Sequence, residues 1–407
     1  MDADRYMKRY DFDTLIDRRG SASLKVDGLK KRYGRDDLMA MWVADMDFAT
    51  PDFIIDALRK RLDHPILGYS LTGDDYFDII SAWVEDLHGW KVDSSFFRYI
   101  PGIVKGIGFA ERCFLSEGDK VIIQPPVYHP FRLVTQACGF EVVNNPLIPV
   151  YDSEGFLKSY RMDLEGLEKL IDSKTKMLIL SNPHNPCGVC FPESELRELA
   201  EICKRHSIIV LSDEIHSEMV FSPRVHTPFA SVSEQAAECS ITFMAPSKTF
   251  NIAGVVSSYC IILNPELREK FFSYLEANEI DDPSLFSVIA TRAAYTPEGR
   301  MWRDEMLTYV NLNARFTYDW CKKHLPQIHP VLPEASFLVW LDCRKLGLEQ
   351  KELVDLFINK AHLALNDGEM FGAEGKGYMR LNIGCPRSVL SQALEQLKAA
   401  VDSLEAE

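Results

Sequence analysis

The sequence lacks a long apolar run and is short of positive charge. No uninterrupted hydrophobic stretch approaches the ~18 residues of a membrane-spanning helix, and the N-terminal MDADRYMKRYDFD lacks the apolar core of a signal peptide. The 407 residues include 60 acidic and 45 basic side chains, which gives a formal net charge of −15. Such a balance argues against binding to nucleic acid or to an anionic membrane. We therefore expect a cytoplasmic protein that binds neither.

The ten cysteines form no spaced framework, which is typical of proteins from a reducing compartment. Cys187 and Cys190 form a C-x-x-C pair. A redox or zinc role would need a thioredoxin-like context or a second pair of ligands. Neither follows nearby, so we interpret the pair as structural thiols and expect no metal site.

Strand and helix patterns alternate through the middle of the chain. Buried-strand patterns occupy 119–126, 140–147, 175–186, 208–215, 240–248 and 257–264. Between them, ESELRELAEICKRHS (193–207) has apolar residues at helical spacing, namely Leu196, Leu199, Ala200 and Cys203. This βαβ rhythm predicts an α/β fold, with a mostly parallel sheet between helices in a large domain over residues 46–290.

The pattern changes toward the C-terminus. From about Asp304 it predicts a long helix (304–324), a strand in SFLVWLD (336–342), a helix near 350–360, a strand in GYMRLNIG (377–384) and a closing helix (388–405). We predict a smaller α+β domain over residues 291–407. The N-terminal segment, residues 1–45, has no partner in the main sheet, so we expect it to pack on the small domain or on a second subunit.

Three polar residues follow three of the predicted strands. Asn185 follows MLILSNPH, Asp213 ends IIVLS, and Lys248 follows SITFMAPS. Singly, each has an ordinary interpretation as a turn residue, a helix cap or an exposed lysine. Together they fall where ligands bind in open α/β sheets, beyond the carboxyl ends of the strands. The set therefore predicts a ligand site.

Pyridoxal 5′-phosphate chemistry uses all three side-chain types. The cofactor binds covalently to a lysine, and a carboxylate keeps its pyridine nitrogen protonated. An Asn amide suits the phenolic oxygen of the ring. An apolar pocket with nearby positive charge would lower the lysine pKa, so that the free amine can attack and later move a proton. We predict this cofactor, with Lys248 and Asp213 as catalytic residues and Asn185 on the ring oxygen.

A phosphate site is predicted in YIPGIVKGIGFAERCF (99–114). Gly102 makes a turn there, and the backbone amides of Ile103 and Val104 begin an apolar helix, where anions bind well. The stretch matches neither a Walker A loop nor a G-x-G-x-x-G fingerprint, which argues against ATP and NAD. Ser247, beside the lysine, adds a hydroxyl.

The motifs SNPHNPCG, LSDEIH and PSKTFNIAG resemble those of the fold-type I pyridoxal-phosphate enzymes, the aspartate aminotransferase superfamily. More narrowly, MWVADMDFATP, LGYS, PPVYHPF, SDEIHSEMVF and APSKTFNIAG resemble the MalY/PatB type of cystathionine β-lyases, also called C–S lyases. The resemblance extends from MWVADMDF to YMRLNIGCPR. It implies a β-lyase that cleaves L-cystathionine or a related S-substituted cysteine to a thiol, pyruvate and ammonia.

The resemblance also implies roles for single residues. Tyr128 would stack on the cofactor and join the catalytic set. Arg380 would clamp the substrate α-carboxylate, with Asn185 beside it. Tyr69 would reach the cofactor and substrate of the neighbouring subunit, so the active sites would be shared in a homodimer. His216 stands where many aminotransferases have a tyrosine and goes with the lyase branch, although a packed histidine is the alternative.

The sequence departs from the aminotransferase pattern at two positions, and two other functions are possible alternatives. Ala245 and Val256 occupy places where many aminotransferases carry a phosphate-binding serine and arginine. A class I/II aminotransferase is the alternative function, because transamination shares every step up to the carbanion. A regulatory protein that keeps the fold is the second alternative, but it would show a broken set of site residues.

Overall fold

The computed structural model describes residues 10–404. Its strands are β1 (Met39–Ala40), β2 (Phe97–Ile100), β3 (Lys120–Ile123), β4 (Glu141–Asn144), β5 (Ile148–Tyr151), β6 (Leu157–Arg161), β7 (Thr175–Ser181), β8 (Ile209–Asp213), β9 (Ser240–Met244), β10 (Ser258–Ile261), β11 (His329–Val331), β12 (Leu338–Asp342), β13 (Leu363–Ala364), β14 (Asn366–Asp367) and β15 (Tyr378–Asn382).

Its α-helices are α1 (Leu29–Tyr33), α2 (Asp52–Leu62), α3 (Tyr76–His88), α4 (Ile103–Phe114), α5 (Pro130–Ala137), α6 (Leu164–Leu170), α7 (Glu193–Arg205), α8 (Glu234–Cys239), α9 (Pro265–Ala277), α10 (Leu285–Ala294), α11 (Pro297–His324), α12 (Gln350–Asp355) and α13 (Arg387–Leu404). A π-helical turn, Leu356–Lys360, continues α12. None of the helices within residues 10–404 is both long and apolar enough to cross a membrane.

The main sheet confirms the predicted α/β architecture. In the part of the chain that the structure describes, it has seven strands in the order β2-β10-β9-β8-β7-β3-β4. The pairs from β9 to β4 are parallel, whereas β10 is antiparallel to β9 and β2. The central strand β7 is buried on both faces, with Met177 through Leu180 at 0% exposure. A continuous apolar run is what a parallel strand covered by helices requires.

Helix α7 shows how the sequence builds the layers around this sheet. Glu193 and Glu195 lie in its first turn and Lys204 and Arg205 in its last, so the charges complement the helix dipole. The predicted apolar face is buried, including Leu196, Leu199, Ala200 and Cys203.

A second, four-stranded antiparallel sheet has the order β11-β12-β15-β14. Helix α11 precedes it and begins at Pro297, seven residues before the predicted start at 304. The earlier start has a local cause, because the Thr296 side chain caps the helix by accepting from the amide of Gly299 at 3.1 Å, and proline is favoured in the first turn.

The N-terminal part of the chain runs along this second sheet. Strand β1 pairs in parallel with β13, and the Tyr33 hydroxyl donates to the carbonyl of Leu365 at 3.0 Å. Phe12 contacts Trp302 of α11 with ring centroids 5.7 Å apart. Residues 1–9 of the predicted N-terminal segment lie outside the described residues, and the domain limits near 45 and 290 stay a prediction.

Candidate active site

The carboxyl ends of β7, β8 and β9 bring the three predicted residues to one edge of the sheet. Asp213 is the last residue of β8 and lies beside Ser181 of β7 and Phe243 of β9 in the strand register. Asn185 and Lys248 each follow the ends of those two neighbours by four residues. Because these neighbouring parallel strands end at the same edge of the sheet, Asn185, Asp213 and Lys248 lie at that edge together.

Lys248 is half-buried, and its Nζ donates to the carbonyl of Ala44 at 2.6 Å. Burial lowers the pKa of its amine to about 8, because desolvation disfavours the charged form. The negative charges of Asp45 and Asp213 oppose this shift in pKa, and Arg380 adds to it. The amine therefore exchanges a proton close to neutral pH, as a catalytic base must.

Asp213 is buried, and its Oδ1 accepts from the amide of Ile215 at 3.1 Å. Burial raises the pKa of this carboxyl to about 7, although that hydrogen bond and the charge of Lys248 act in the other direction. A protonated ring nitrogen facing the carboxyl would supply the missing positive charge and keep Asp213 ionised. The environment thus suits the partner of a pyridinium.

Arg380 projects from the middle of β15 toward the first sheet. Its Nη1 donates to Oδ1 of Asn185 at 2.9 Å, and its Nη2 donates to Oδ1 of Asn366 at 2.6 Å and to the carbonyl of Trp42 at 3.0 Å. The guanidinium lies over the ring of Phe371, 4.9 Å from its centroid. Burial lowers its pKa to about 10. Its Nε is buried and has no partner within residues 10–404, which leaves a donor for a carboxylate.

Tyr128 and His216 border the same space. Tyr128 is half-buried, with its ring edge-on to Phe131 at 5.7 Å. Burial raises the pKa of its hydroxyl, and the neighbouring charges of Arg380 and Asp213 also act on it. His216 is buried, and burial with the charges of Lys248 and Arg380 lowers its pKa to about 3. Its neutral ring leaves Nδ1 without a partner among the described residues.

The predicted phosphate cradle lies at the start of α4. Gly102 is the N-cap, with φ of +111°, a conformation that glycine adopts easily, and no side chain caps the helix. A Cβ on Gly102 would meet nothing within 4 Å, so the helix start has open space beside Gly102. Ser247 is buried in the turn that carries the lysine.

These features fit pyridoxal phosphate. The site offers an amine with a lowered pKa, a carboxyl that lacks a positive partner, and unpartnered nitrogen atoms on His216 and Arg380. An uncapped helix start suits its phosphate.

Tyr69 is the predicted site residue that was assigned to the site of a neighbouring subunit. It is fully exposed, in a segment with the exposed side chains Ile66, Leu67 and Leu71. Its predicted role in a neighbouring subunit stays a prediction.

The sequence suggested Asp45 and Asp47 either as lining of the site entrance or as turn residues, but it did not show the charged network that they form with Arg18 and Lys25. Arg18 binds Asp45 through both terminal nitrogens at 2.8–2.9 Å and Asp47 at 2.8 Å, and the buried Lys25 donates to Asp47 at 2.8 Å. Lys248 and these two aspartates line one cavity of about 610 Å³. The two aspartates of the motif VADMDF could be recognised as candidate site residues. Their partners Arg18 and Lys25 lie some 20 to 30 residues earlier, and no sequence pattern links them to the motif.

The chain belongs to the aminotransferase class I and II family, whose model matches residues 37–397. Within this family it is similar to cystathionine β-lyase PatB of Bacillus subtilis (strain 168), with 39% identity over 391 residues that cover 96% of this chain and 99% of that protein. It is also similar to protein MalY of Escherichia coli (strain K12), with 31% identity that covers 96% of this chain and 99% of that one.

The fold is similar to that of cystalysin from Treponema denticola, a crystal structure that contains pyridoxal 5′-phosphate. The TM-score is 0.91 at 33% sequence identity, and the match covers 97% of this chain and 99% of that one. The resemblance inferred from the motifs is thereby confirmed.

Proposed function

We propose that this protein is a pyridoxal-phosphate-dependent carbon–sulfur β-lyase that cleaves L-cystathionine or a related S-substituted cysteine. The observation that carries the proposal is the joint placement of Lys248, Asp213 and Arg380 around one space, each with a shifted pKa. The chain that holds them is 39% identical to a cystathionine β-lyase over nearly its whole length.

The cofactor, when bound, supplies an electron sink for the negative charge that develops on the substrate Cα. Arg380 would hold the substrate α-carboxylate, because its Nε is free to donate. The Lys248 amine would take the α-proton as general base. Asp213 would keep the ring nitrogen protonated, and Tyr128 would lie against the ring. The thiolate on Cβ then leaves with its electron pair, and the released enamine hydrolyses to pyruvate and ammonia.

The proposal includes a cytoplasmic homodimer with shared active sites. The ten cysteines, which all lie in the described part of the chain, are free thiols, as a reducing compartment would allow. Tyr69 and its apolar neighbours are exposed in the single chain. A second copy of the chain could bury this apolar surface and contact the Tyr69 hydroxyl.

The reaction is tested with purified enzyme, L-cystathionine and no keto acid. We expect continuous pyruvate release with many turnovers per site, because elimination regenerates the cofactor form that began the cycle. Lys248→Ala, measured beside it, controls for non-enzymatic loss of the thiol. Release of no pyruvate, together with amino transfer to an added keto acid, would instead make the enzyme an aminotransferase.

The shared site is tested by mixing two inactive proteins. Tyr69→Ala removes the side chain given to the partner, and Lys248→Ala removes the local base. If subunits exchange, a hybrid dimer has one intact site, so the mixture should regain activity that neither variant has alone. A dimer in which exchange is demonstrated by mass labels but activity stays absent would refute sharing through Tyr69.

A further inference from the structure

A second cavity, of about 520 Å³, shares no lining residue with the candidate active site. It lies between one face of α11 and the loop that follows the short 3₁₀ turn Ser217–Met219. The polar side chains that matter to its chemistry are those of His88, Arg224, His226, Arg300, Arg303 and Arg315.

The arginines give this cavity a positive lining in a chain whose net charge is −15. Asp304 is the acidic residue that lines it, and it is shared, since its two oxygens accept from Arg300 at 3.2 Å and Arg303 at 2.6 Å. Arg300 also donates from Nη1 to the carboxylate of Asp86, which is not part of the lining. Arg224 pairs with Glu334. Arg315 is exposed and has no ion-pair partner within residues 10–404. Its planar fork of donors is therefore free for a carboxylate or a phosphate.

The inner end of the cavity is built from buried side chains. Arg303 is 9% exposed, and its Nε is fixed by the carbonyl of Glu218 at 2.6 Å. His226 is 3% exposed, and its Nε2 lies 2.6 Å from Oε2 of the buried Glu214. This contact fixes the ring of His226 against Glu214. The orientation of both side chains is thus set before any ligand arrives.

Two ring nitrogens at this end have no hydrogen-bond partner within residues 10–404. The rings of His88 and His226 contact each other edge-on at 5.2 Å, and Nδ1 of each is buried without a hydrogen bond among the described residues. Burial lowers the pKa of His88 well below its usual value, and the charges of His226, Arg303 and Arg300 lower it further. A buried ring nitrogen that carries no proton can accept from a ligand hydroxyl.

We infer that this cavity is a binding site for a small anion with phosphate or carboxylate groups, held by Arg315, Arg300 and Arg303 and reaching the histidine pair. The residues that line this cavity are separate from those of the candidate active site. The site also has a physical connection to that reaction, because His226 binds Glu214, the residue next to Asp213.

Isothermal titration of the holoenzyme tests this inference, with inorganic phosphate and citrate as separate probes at a fixed ~150 mM NaCl. Saturation with pyridoxal phosphate fills the cradle at Gly102, so added phosphate cannot bind there. We expect one saturable site for at least one probe. The probe that binds distinguishes phosphate from carboxylate recognition.

Arg315→Gln and Arg300→Gln should each weaken that affinity by about tenfold, the effect of losing a charge-assisted hydrogen bond. Arg59→Gln is the matched control, because Arg59 is exposed on α2 and pairs only locally with Asp56. It should leave the affinity unchanged. Absence of saturable binding of both probes, or equal weakening in the Arg59 control, would overturn the inference.

Discussion

Two lysines of this chain, the buried Lys25 and the half-buried Lys248, differ in the partner of the amine. Lys25 is 1% exposed, and its Nζ donates to a carboxylate oxygen of Asp47 at 2.8 Å. The Nζ of Lys248 donates to a neutral carbonyl, that of Ala44, at 2.6 Å. A carboxylate compensates a buried positive charge, whereas a carbonyl does so only in part. The partner of the amine therefore distinguishes the structural role of Lys25 from the role proposed for Lys248.

The largest effect should come from Lys248→Ala. We expect pyruvate release from L-cystathionine to fall by at least about 10³-fold, because the variant loses the proposed general base, which is also the proposed covalent anchor of the cofactor. The absorption spectrum of the enzyme with pyridoxal phosphate should lose the band of the imine between the cofactor and Lys248.

Lys25→Ala provides the contrast with that variant. It should lower stability and leave the absorbance band in place. If both variants lost the band, or neither did, the distinction between the two lysines would be wrong.

Arg380→Lys should have the next largest effect. The variant keeps a positive charge but loses the planar fork, so we expect kcat/KM for L-cystathionine to fall by about 100-fold, mainly through KM. Steady-state kinetics at several substrate concentrations measure this. Arg59→Lys, on the exposed face of α2, is the control. An unchanged KM would remove Arg380 from the carboxylate site.

Lys25→Met should act on folding. In this variant Asp45 and Asp47 still pair with Arg18, but the buried ammonium group of Lys25 is absent. The free energy of unfolding should therefore fall by about 1–3 kcal/mol. Urea denaturation followed by fluorescence measures the change. Lys31→Met, at an exposed position of α1, should stay within about 0.5 kcal/mol of the wild type. Equal stability of the two variants would mean that the network contributes nothing.

Asp45→Asn should give the smallest effect, a shift of the pH profile. The carboxylate of Asp45 raises the pKa of Lys248, so its removal lowers that pKa further below about 8. In the proposed mechanism the neutral amine is the active base, so kcat should rise as the amine loses its proton. The rising limb should therefore move to lower pH, by about half a unit.

Asp47→Asn is the matched control for this shift. Asp47 lies in the same network but is not among the charges that act on Lys248. A movement of the limb to higher pH in Asp45→Asn, or the same movement in both variants, would contradict the assignment.

The sequence predicted much of the fold because its signals are local. The apolar run of β7 and the spaced leucines of α7 are visible within single elements, and both are confirmed. The family, the pyridoxal-phosphate cofactor and the C–S lyase branch, which came from motifs at strand ends, are also confirmed. The start of α11 was placed too late because the Thr296 cap precedes the region where the apolar pattern is regular.

Other parts of the site depend on contacts between distant parts of the chain. The carbonyl of Ala44 lies 204 residues from Lys248, and any residue type could have supplied it. Asn366 meets Arg380 only because β14 and β15 are neighbours. Composition and periodicity carry no information on contacts between residues that are far apart in the sequence. The surroundings that shift the pKa of each site residue are therefore known only from the structure.

Asp213 and Glu214 are consecutive, yet they serve opposite sides of the sheet. Asp213 acts toward Lys248, while Glu214 accepts from Ser212 at 2.8 Å and contacts His226 at 2.6 Å. Side chains alternate along an extended segment, so inserting or deleting one residue in β8 would exchange the two carboxylates. The length of this strand is consequently as strict a requirement as the identity of its last residue, and libraries that vary loop lengths around the site should leave 209–214 unchanged.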